Sequence, residues 1–444
     1  MKRLHIITVC VGALLCVGAA AQSFRTGYFL DNYVYGYRIN PSQVSEDSFF
    51  SLALGNIDLQ HNMNFGVKSF LYPQPGGKIV TGLNSAVSSS EFLGNLRAHN
   101  TLSVDENINI ITIGASNGSV MHTFEINARA MATASVPRDI FAFVKKGGEA
   151  TYDLGGFYVD ATGLTDFAYG LAFKLTDKLS VGARAHFLLG HQNLNLNTAN
   201  SKLTLSGSSI SIDSDVYLRT AGAAQVSVDG ESRVDAGMSD SYIGGAGFAL
   251  DLGVTYCPIP GLETMVSITD LGFISWDDNF TGHAYGSHQF EGVDVTYEDG
   301  SAQADVDGAL EKLEQAFAFE PDSEGSHNTG MPMNFAIGAK YRMPFYEGLS
   351  VAALMTAHSA RCANWFDFRV GATITPARIL SATVNVGAGT FGASYGAALN
   401  LLLGPINLVL GTDGFLGSIG TIDGIPVPLG GFMENLHVGL GFAF

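Results

Sequence analysis

The stretch NLHVGLGFAF, Asn435–Phe444, decides the fold, because large apolar residues alternate strictly with small or polar ones. Leu, Val, Leu, Phe and Phe occupy the even positions from 436 to 444, and Asn, His, Gly, Gly and Ala occupy the odd positions. Alternate residues of a β-strand point to opposite faces. One apolar face and one small or polar face suit a strand that has lipid on one side and a lumen on the other. A strand of this kind crosses the hydrocarbon layer in about 9–11 residues. The alternative is an edge strand of a soluble β-sandwich, because short alternation is common. The rest of the sequence distinguishes the two.

The aromatic residues of this stretch carry a second prediction. A carboxy-terminal aromatic on such a strand resembles the signal by which the barrel-assembly machinery recognises outer-membrane barrels. Phe442 and Phe444 are therefore predicted to be the assembly signal. Deleting Phe444 is expected to lower the yield of assembled barrel, measured by heat-modifiable gel migration of the membrane fraction. A wild-type yield would contradict this role.

The composition agrees with a membrane barrel. Of the 444 residues, 46% are hydrophobic and only 14% are charged, against about 25% charged residues in ordinary globular domains. The apolar residues are dispersed by alternation and interrupted by glycine and proline, as in the uncharged stretch 379–412. This dispersed pattern is typical of transmembrane strands. Outer-membrane lipid is thus a predicted partner.

The amino terminus has the three parts of a signal peptide. Lys2 and Arg3 give a charged start, residues 4–17 form a short apolar core, and small residues lead to Ala21. We predict a signal peptide over residues 1–21, cleaved near Ala21. The protein is then exported to the outer membrane of a Gram-negative bacterium.

The clearest hairpin predicts an up-and-down topology. Alternating arms at Phe167–Leu175 and Leu179–Leu189 flank the short turn Thr176-Asp177-Lys178. Similar units recur along the chain, each with a turn that contains glycine or proline. We predict an all-β, antiparallel transmembrane barrel over residues 49–444 with about 14 strands, in a range of 12–16.

Several segments do not alternate. The aromatic-rich residues 22–48 are predicted to form an N-terminal plug segment in the barrel mouth, or alternatively an extension packed under the barrel. A short helix with Pro137 in its first turn and Gly147 at its end is placed inside the barrel or under the periplasmic rim. The hydrophilic residues 279–330 are predicted to be a long acidic outer loop, with a second helix near 305–317.

Site candidates lie in the plug and the lumen: Tyr28, Tyr33, Tyr35, Arg38, Asn40 and Asp270. An aspartate in an apolar strand lies at a strand end or faces the lumen, because lipid exposure is costly. One interpretation pairs Asp270 with Arg38 to hold the plug. The other treats Asp270 as a strand end and Trp276 as an anchor at the outer interface.

Other classes of function are disfavoured. A net charge of −18 argues against nucleic acid as a partner, because phosphate binding needs a basic face. His186 and His437 fall in the inward phase, where any polar lumen carries such residues. We predict no enzyme, no cofactor and no metal. For Cys257 and Cys362, a disulfide and two free thiols both stay open.

Three markers carry a family resemblance: Gly27–Asp31 leading to Asn40-Pro41, Thr269–Trp276, and Phe444. Together they resemble the uncharacterised outer-membrane barrel family known as domain of unknown function 5723, over nearly the whole mature chain. The resemblance implies membership of a broader group similar to long-chain fatty-acid transporters, with a plugged fourteen-stranded barrel. That group also includes barrels that serve protein secretion. Ser42 stands where many members carry alanine, and no ligand site carries over.

Two functions remain in view. The first is a passive transporter or channel for small hydrophobic or amphipathic compounds, in keeping with the aromatic N-terminal segment and the fatty-acid-transporter resemblance. The second is a structural or secretion-associated barrel that docks a protein partner at its outer loops. An aromatic-walled pocket favours transport, whereas a lumen filled by the plug favours docking.

Overall fold

The computed structural model describes residues 24–444, apart from 53–55, 76–77, 208, 229–233, 239–242, 292–294, 299–300, 305–317, 322–324, 416–418, 423–424 and 429–431. The predicted signal peptide and the helix near 305–317 lie outside the described residues.

Fourteen antiparallel strands form a closed barrel, which confirms the predicted fold class and strand number. The barrel closes because β1 pairs with β14, from Asn56 opposite Gly439 to Met63 opposite Phe432. The strands are β1 (Phe49–Leu52 and Asn56–Met63), β2 (His99–Ser116), β3 (Val120–Pro137), β4 (Tyr158–Thr176), β5 (Leu179–Thr198), β6 (Gly245–Tyr256), β7 (Leu262–Glu291), β8 (Met333–Arg342), β9 (Leu349–Ser359), β10 (Trp365–Ala377), β11 (Leu380–Gly389), β12 (Gly392–Leu403), β13 (Ile406–Phe415) and β14 (Phe432–Ala443).

The two faces of the wall have opposite chemistry. Along β6 every second residue is exposed, so that Phe248 is 63% exposed whereas its neighbour Ala249 is buried. On β14 Leu436 points outward, and His437 is buried inside. Apolar side chains therefore face lipid and small or polar ones face the lumen, as in known transmembrane barrels.

The two ends of the barrel differ in the length of their connections. Short turns join β4 to β5 and β12 to β13 at the end where Phe444 lies, and the backbone of Phe444 pairs with Ser48 there. The opposite end carries long connections, such as residues 199–244. Since short turns are periplasmic and long loops are outside in such barrels, the end with Phe444 is the periplasmic end.

Additional strands extend the outer end. Ser209–Gly222 pairs with β5 on one side and with the outer part of β7 on the other. The predicted loop 279–330 therefore begins as the extension of β7, which continues to Glu291. The remaining short strands are Leu71–Pro73, Ile79–Thr81, Ala150–Asp153, Lys202–Ser206, Ala224–Val228, Val234–Met238, Val295–Glu298, Ser301–Ala304, Glu320–Pro321, Ser326–Gly330, Ile419–Ile422 and Ile425–Pro428.

The helices are short. They are α1 (Ser89–Gly94), α2 (Arg138–Lys146) and the 3₁₀ turns Arg25–Tyr28, Gly36–Arg38 and Val67–Ser69. Within the described residues, no helix combines the length and the apolar character needed to cross a bilayer.

The predicted location of α2 is wrong. The helix follows the outer end of β3, and its Phe141 contacts Phe70 and Phe92, at ring-centroid distances of 5.6 and 6.3 Å. These partners belong to the outer segment that follows β1, so α2 lies on the outer rim rather than in the lumen or under the periplasmic rim.

Candidate functional site in the lumen

The N-terminal segment, residues 24–48, lies inside the barrel. Its backbone closes turns on itself, as where the Phe29 N–H donates to the Thr26 carbonyl at 3.1 Å. Phe29 and Tyr35 are 0% exposed, and Phe24, Tyr33 and Tyr37 are buried as well. Within the described residues, no barrel strand pairs with residues 24–47, and Ser48 alone exchanges backbone hydrogen bonds with Phe444. The segment therefore fills the lumen without becoming part of the wall.

Glycines of the wall make room for the aromatic rings of the segment. A Cβ atom on Gly411 would lie 2.2 Å from the ring of Phe24, and one on Gly338 would lie 2.6 Å from the ring of Tyr28. Such distances are far shorter than any van der Waals contact. Lumen-facing glycines thus set where each ring can sit.

The closest approach is at the Asn40-Pro41 elbow. Gly182 of β5 and Gly253 of β6 are paired across the strands. A Cβ on Gly182 would lie 2.0 Å from the Pro41 carbonyl oxygen, and one on Gly253 would lie 2.3 Å from Asn40 Oδ1. Asn40 Nδ2 donates to Thr255 Oγ1 at 2.7 Å. The elbow is therefore fixed in a notch that any side chain would close.

Polar contacts hold the segment above and below. The backbone N–H of Arg25 and its Nε donate to Asp413 Oδ2, at 3.0 and 3.1 Å. Near the periplasmic end, Lys340 Nζ lies 2.7 Å from Asp31 Oδ1. Burial raises the pKa of the Asp31 carboxyl, but the Lys340 ammonium and the Thr375 hydroxyl lower it by more, so the pKa lies below its usual value. Charged groups thus anchor the segment both at Arg25 and, nearer the periplasmic end of the barrel, at Asp31.

A layer of buried charges surrounds Arg38. Its Nε donates to Glu125 Oε1 at 2.8 Å, and its guanidinium lies 3.6 Å from Asp58. Glu125 also binds Arg184, whose other nitrogen donates to Asp251 at 2.8 Å. These groups line a small cavity of about 40 Å³. The layer crosses the lumen and includes the segment through Arg38.

The predicted pairing of Arg38 with Asp270 is wrong. Asp270 instead accepts from Arg129, with Nη1 to Oδ1 at 2.6 Å and Nη2 to Oδ2 at 3.2 Å. Glu125 lies beside Arg38 because of the strand register, which cannot be deduced from residues that are far apart in the sequence. Asp270 therefore belongs to the same charged layer through another arginine.

Trp276 is not an anchor at the membrane interface, because a bulge at Asp270 reverses the faces of β7. Asp270 has a φ of 59° and interrupts the register opposite Asp251. Aspartate tolerates this left-handed conformation better than most residues, and the Asp270 N–H donates to Asp251 Oδ1 at 2.7 Å. Beyond the bulge Phe273 faces outward, whereas Trp276 is 0% exposed and donates to Thr329. Strict alternation from Thr269 predicts the opposite.

The structure brings some of the predicted site residues together. The Tyr33 hydroxyl lies 3.3 Å from Nε2 of His437, and the ring of Tyr33 contacts that of Tyr35. Tyr28 lies apart, against β8. Phe442 and Phe444 are outside the lumen and exposed, the latter at 77%, and their role in assembly stays a prediction.

Sequence reasoning missed Glu125, Arg129 and Arg184. A usable signal was present in β3, where Val120, His122 and Phe124 share the lipid-facing phase. Glu125 and Arg129 occupy the opposite phase and are buried. Isolated charges in the inward phase of barrel strands therefore mark the lumen network.

One motif looks catalytic but has the wrong context. Residues 392–396 match the spacing Gly-x-Ser-x-Gly. In hydrolases this serine sits on a sharp turn between a strand and a helix. Here the motif lies within β12, and Ser394 Oγ accepts from Arg369 Nη2 at 3.1 Å. Ser394 is therefore part of the lumen network.

An outer vestibule lies above the segment. Its volume is about 450 Å³. One side is formed by the outer ends of β1 to β4, and the other by the connections after β9 and β11. Its lining residues are Asn62, Asn64, Arg97, His99, Thr101, Ser103, Ser135, Gly156, Arg361, Cys362, Ala363, Asn364, Thr390 and Phe391. The vestibule thus spans the mouth of the barrel.

The two cysteines outside the predicted signal peptide do not form a disulfide, since Cys362 and Cys257 are both free thiols.

Comparison with known proteins gives a family and a set of similar solved structures. A sequence profile described as "Family of unknown function (DUF5723)" matches residues 42–413. The structure is similar to the toluene transporter TodX of Pseudomonas putida, with a TM-score of 0.44 and 9% identity, covering 96% of this chain and 98% of that chain. The toluene transporter TbuX of Ralstonia pickettii gives 0.40 and 12%, covering 96% and 94%. A Pseudomonas aeruginosa FadL homologue gives 0.40 and 12%, covering 93% and 94%. No protein of curated function matches the sequence.

Proposed function

The chain belongs to a family of unknown function, DUF5723, and we propose from its lumen that it is a passive channel for small amphipathic compounds. The N-terminal segment closes this channel in the resting state. The observation that carries the proposal is the vestibule of about 450 Å³, which leads from the outer end to residues 24–42, and these have no backbone pairing with the strands of the wall. Solutes would enter the vestibule and pass when the segment moves.

Movement of the segment leaves the barrel intact. The interstrand hydrogen bonds run from β1 to β14, and residues 24–42 take part in none of the described strand pairs. Opening therefore breaks side-chain contacts, whereas the closed ladder, which the bilayer requires, stays complete. The buried aromatic rings favour the closed state, so opening is a shift between two populations.

The charged layer favours amphipathic over purely apolar solutes. Below the vestibule, a solute on the barrel axis meets Arg38, Glu125 and Arg184. An apolar compound there would separate buried charges from their hydrogen-bond partners, at a high cost. A compound with a polar group can replace part of those bonds, and an apolar one would have to leave through the wall.

Solute flux into liposomes tests the proposal. The full chain and a variant lacking residues 24–42 are reconstituted, and swelling is followed in phenyl β-D-glucoside, an amphipathic solute that crosses lipid poorly. We expect slow entry with the full chain and much faster entry with the deletion variant. Heat-modifiable migration controls for barrel assembly. If liposomes that contain the assembled deletion variant take up the solute no faster than liposomes without protein, the channel is refuted.

The buried segment also supports a second function, a barrel that docks a protein. The rings of Phe24, Phe29, Tyr33, Tyr35 and Tyr37 are buried in packing and that of Tyr28 is partly buried, so they present little open aromatic surface to a solute. Purification from the native membrane followed by mass spectrometry separates the two functions. A stoichiometric protein partner without a bound small molecule would favour docking, and a small molecule lost in Tyr33→Ala would favour transport.

A further inference from the structure

The outer vestibule is positively charged in an acidic protein. The chain has a net charge of −18. The side chains that line the vestibule nevertheless include two arginines and one histidine, and neither aspartate nor glutamate is among them. Because a cleft of one sign concentrates its field, this charge attracts anions in spite of the negative net charge.

The vestibule arginines keep their charge available. In the part of the chain that the structure describes, neither Arg97 nor Arg361 forms an ion pair with a carboxylate, and both are exposed. The arginines of the charged layer differ, since Arg129 and Arg184 are each bound to carboxylates. The charge of the vestibule arginines is therefore not neutralised by a described carboxylate, unlike that of the arginines in the layer below.

Arg361 is also held in position. Its guanidinium carbon lies 5.2 Å from the ring centroid of Tyr158. A cation over an aromatic face is attracted by the ring without losing its charge. Arg361 lies in the connection between β9 and β10, whereas Arg97 and His99 lie at the outer end of β2. The cations thus face the cavity from both of its sides.

We propose that the vestibule is an anion-binding site that takes small organic solutes with a carboxylate or phosphate group. Arg97 and Arg361 bind the anionic oxygens, since guanidinium presents N–H donors in a fork that matches such groups. Phe391 and Ala363 contact the apolar part of the solute. This inference rests on the proposed function, because it assigns the charge of the solute that the channel admits.

Equilibrium binding tests the site without any flux. The full chain in detergent is titrated with 4-fluorobenzoate and with 4-fluorobenzamide, and both are followed by ¹⁹F NMR. The two probes share a ring and differ in charge. We expect the benzoate to bind at least about tenfold more tightly, as for one charge-assisted hydrogen bond, and inorganic phosphate to displace it. Equal affinity for both probes would overturn the proposal.

Substitutions locate the site. We expect Arg97→Gln and Arg361→Gln each to weaken benzoate binding about tenfold and to leave benzamide unchanged. Arg361→Lys keeps the charge but loses the guanidinium fork, so it is expected to weaken benzoate binding less than Arg361→Gln does. Arg378→Gln, at the other end of the barrel, is the matched control. An affinity for benzoate that neither vestibule substitution changes would overturn the site. Charge-selective binding without flux through the assembled deletion variant would leave the site standing and refute only the channel.

Discussion

Gly182→Val and Gly253→Val are expected to open the channel while the barrel stays assembled. A Cβ at either position would overlap atoms of Asn40 or Pro41, including backbone atoms that no rotamer change can move away. Overpacking of this kind costs about 1–3 kcal/mol, which raises the open fraction roughly 5- to 150-fold. Single-channel conductance in planar bilayers measures this fraction directly.

Gly330→Val is the matched control for these variants. Gly330 also lies in a strand, but a Cβ there has no neighbouring atom within 4 Å. Its conductance is expected to equal that of the wild type. If Gly182→Val and Gly253→Val assemble and still behave like Gly330→Val, the Asn40-Pro41 elbow is not the element that keeps the channel closed.

Arg38→Ala is expected to release the N-terminal segment. The substitution removes a buried cation from Glu125 and Asp58, although Glu125 keeps Arg184. Loss of one partner of a buried ion pair costs about 3 kcal/mol at the low end of the known range, or a roughly 150-fold larger released fraction. Chymotrypsin cleavage of reconstituted protein measures the release, because this protease cuts at the aromatic residues of the segment and does not depend on Arg38.

The control for this variant is another arginine that contacts the N-terminal segment. Arg378 binds both oxygens of Asp47, at 2.6 and 2.7 Å, but its side chain is 63% exposed. Exposed ion pairs contribute little to stability, so chymotrypsin should cleave the Arg378→Ala variant at the wild-type rate. Equal cleavage of Arg38→Ala and wild type would show that the charged layer does not hold the segment.

The fold could be predicted because the bilayer imposes a simple rule on each strand. Leu436 and Phe442 point outward and His437 points inward, as alternation on β14 predicts. The hairpin around Thr176 is equally clear, and β4 and β5 end and begin at Thr176 and Leu179. Both signals are local, since they need only the period of a strand and the chemistry of a short turn.

The site could be predicted only in part, because its contacts join distant strands. The sequence predicts Arg38 as a site residue, yet its partner Glu125 depends on a strand register that no local pattern contains. Alternation places Trp276 on the wrong face because the bulge at Asp270 inserts one residue and exchanges the two faces of β7. An aspartate within a strand does not indicate a bulge in the way that a glycine indicates a turn.

The unequal lengths of the strands give the barrel an oblique rim. The 30 residues of β7 reach about 70 Å along the barrel axis at the usual rise and tilt. The 11 residues of β9 reach only about 26 Å, close to the thickness of the hydrocarbon layer. Arg361 and Phe391 follow the short strands β9 and β11, so they lie on the low side of the rim. A compound that diffuses along the membrane surface therefore reaches them on the side where the wall is lowest.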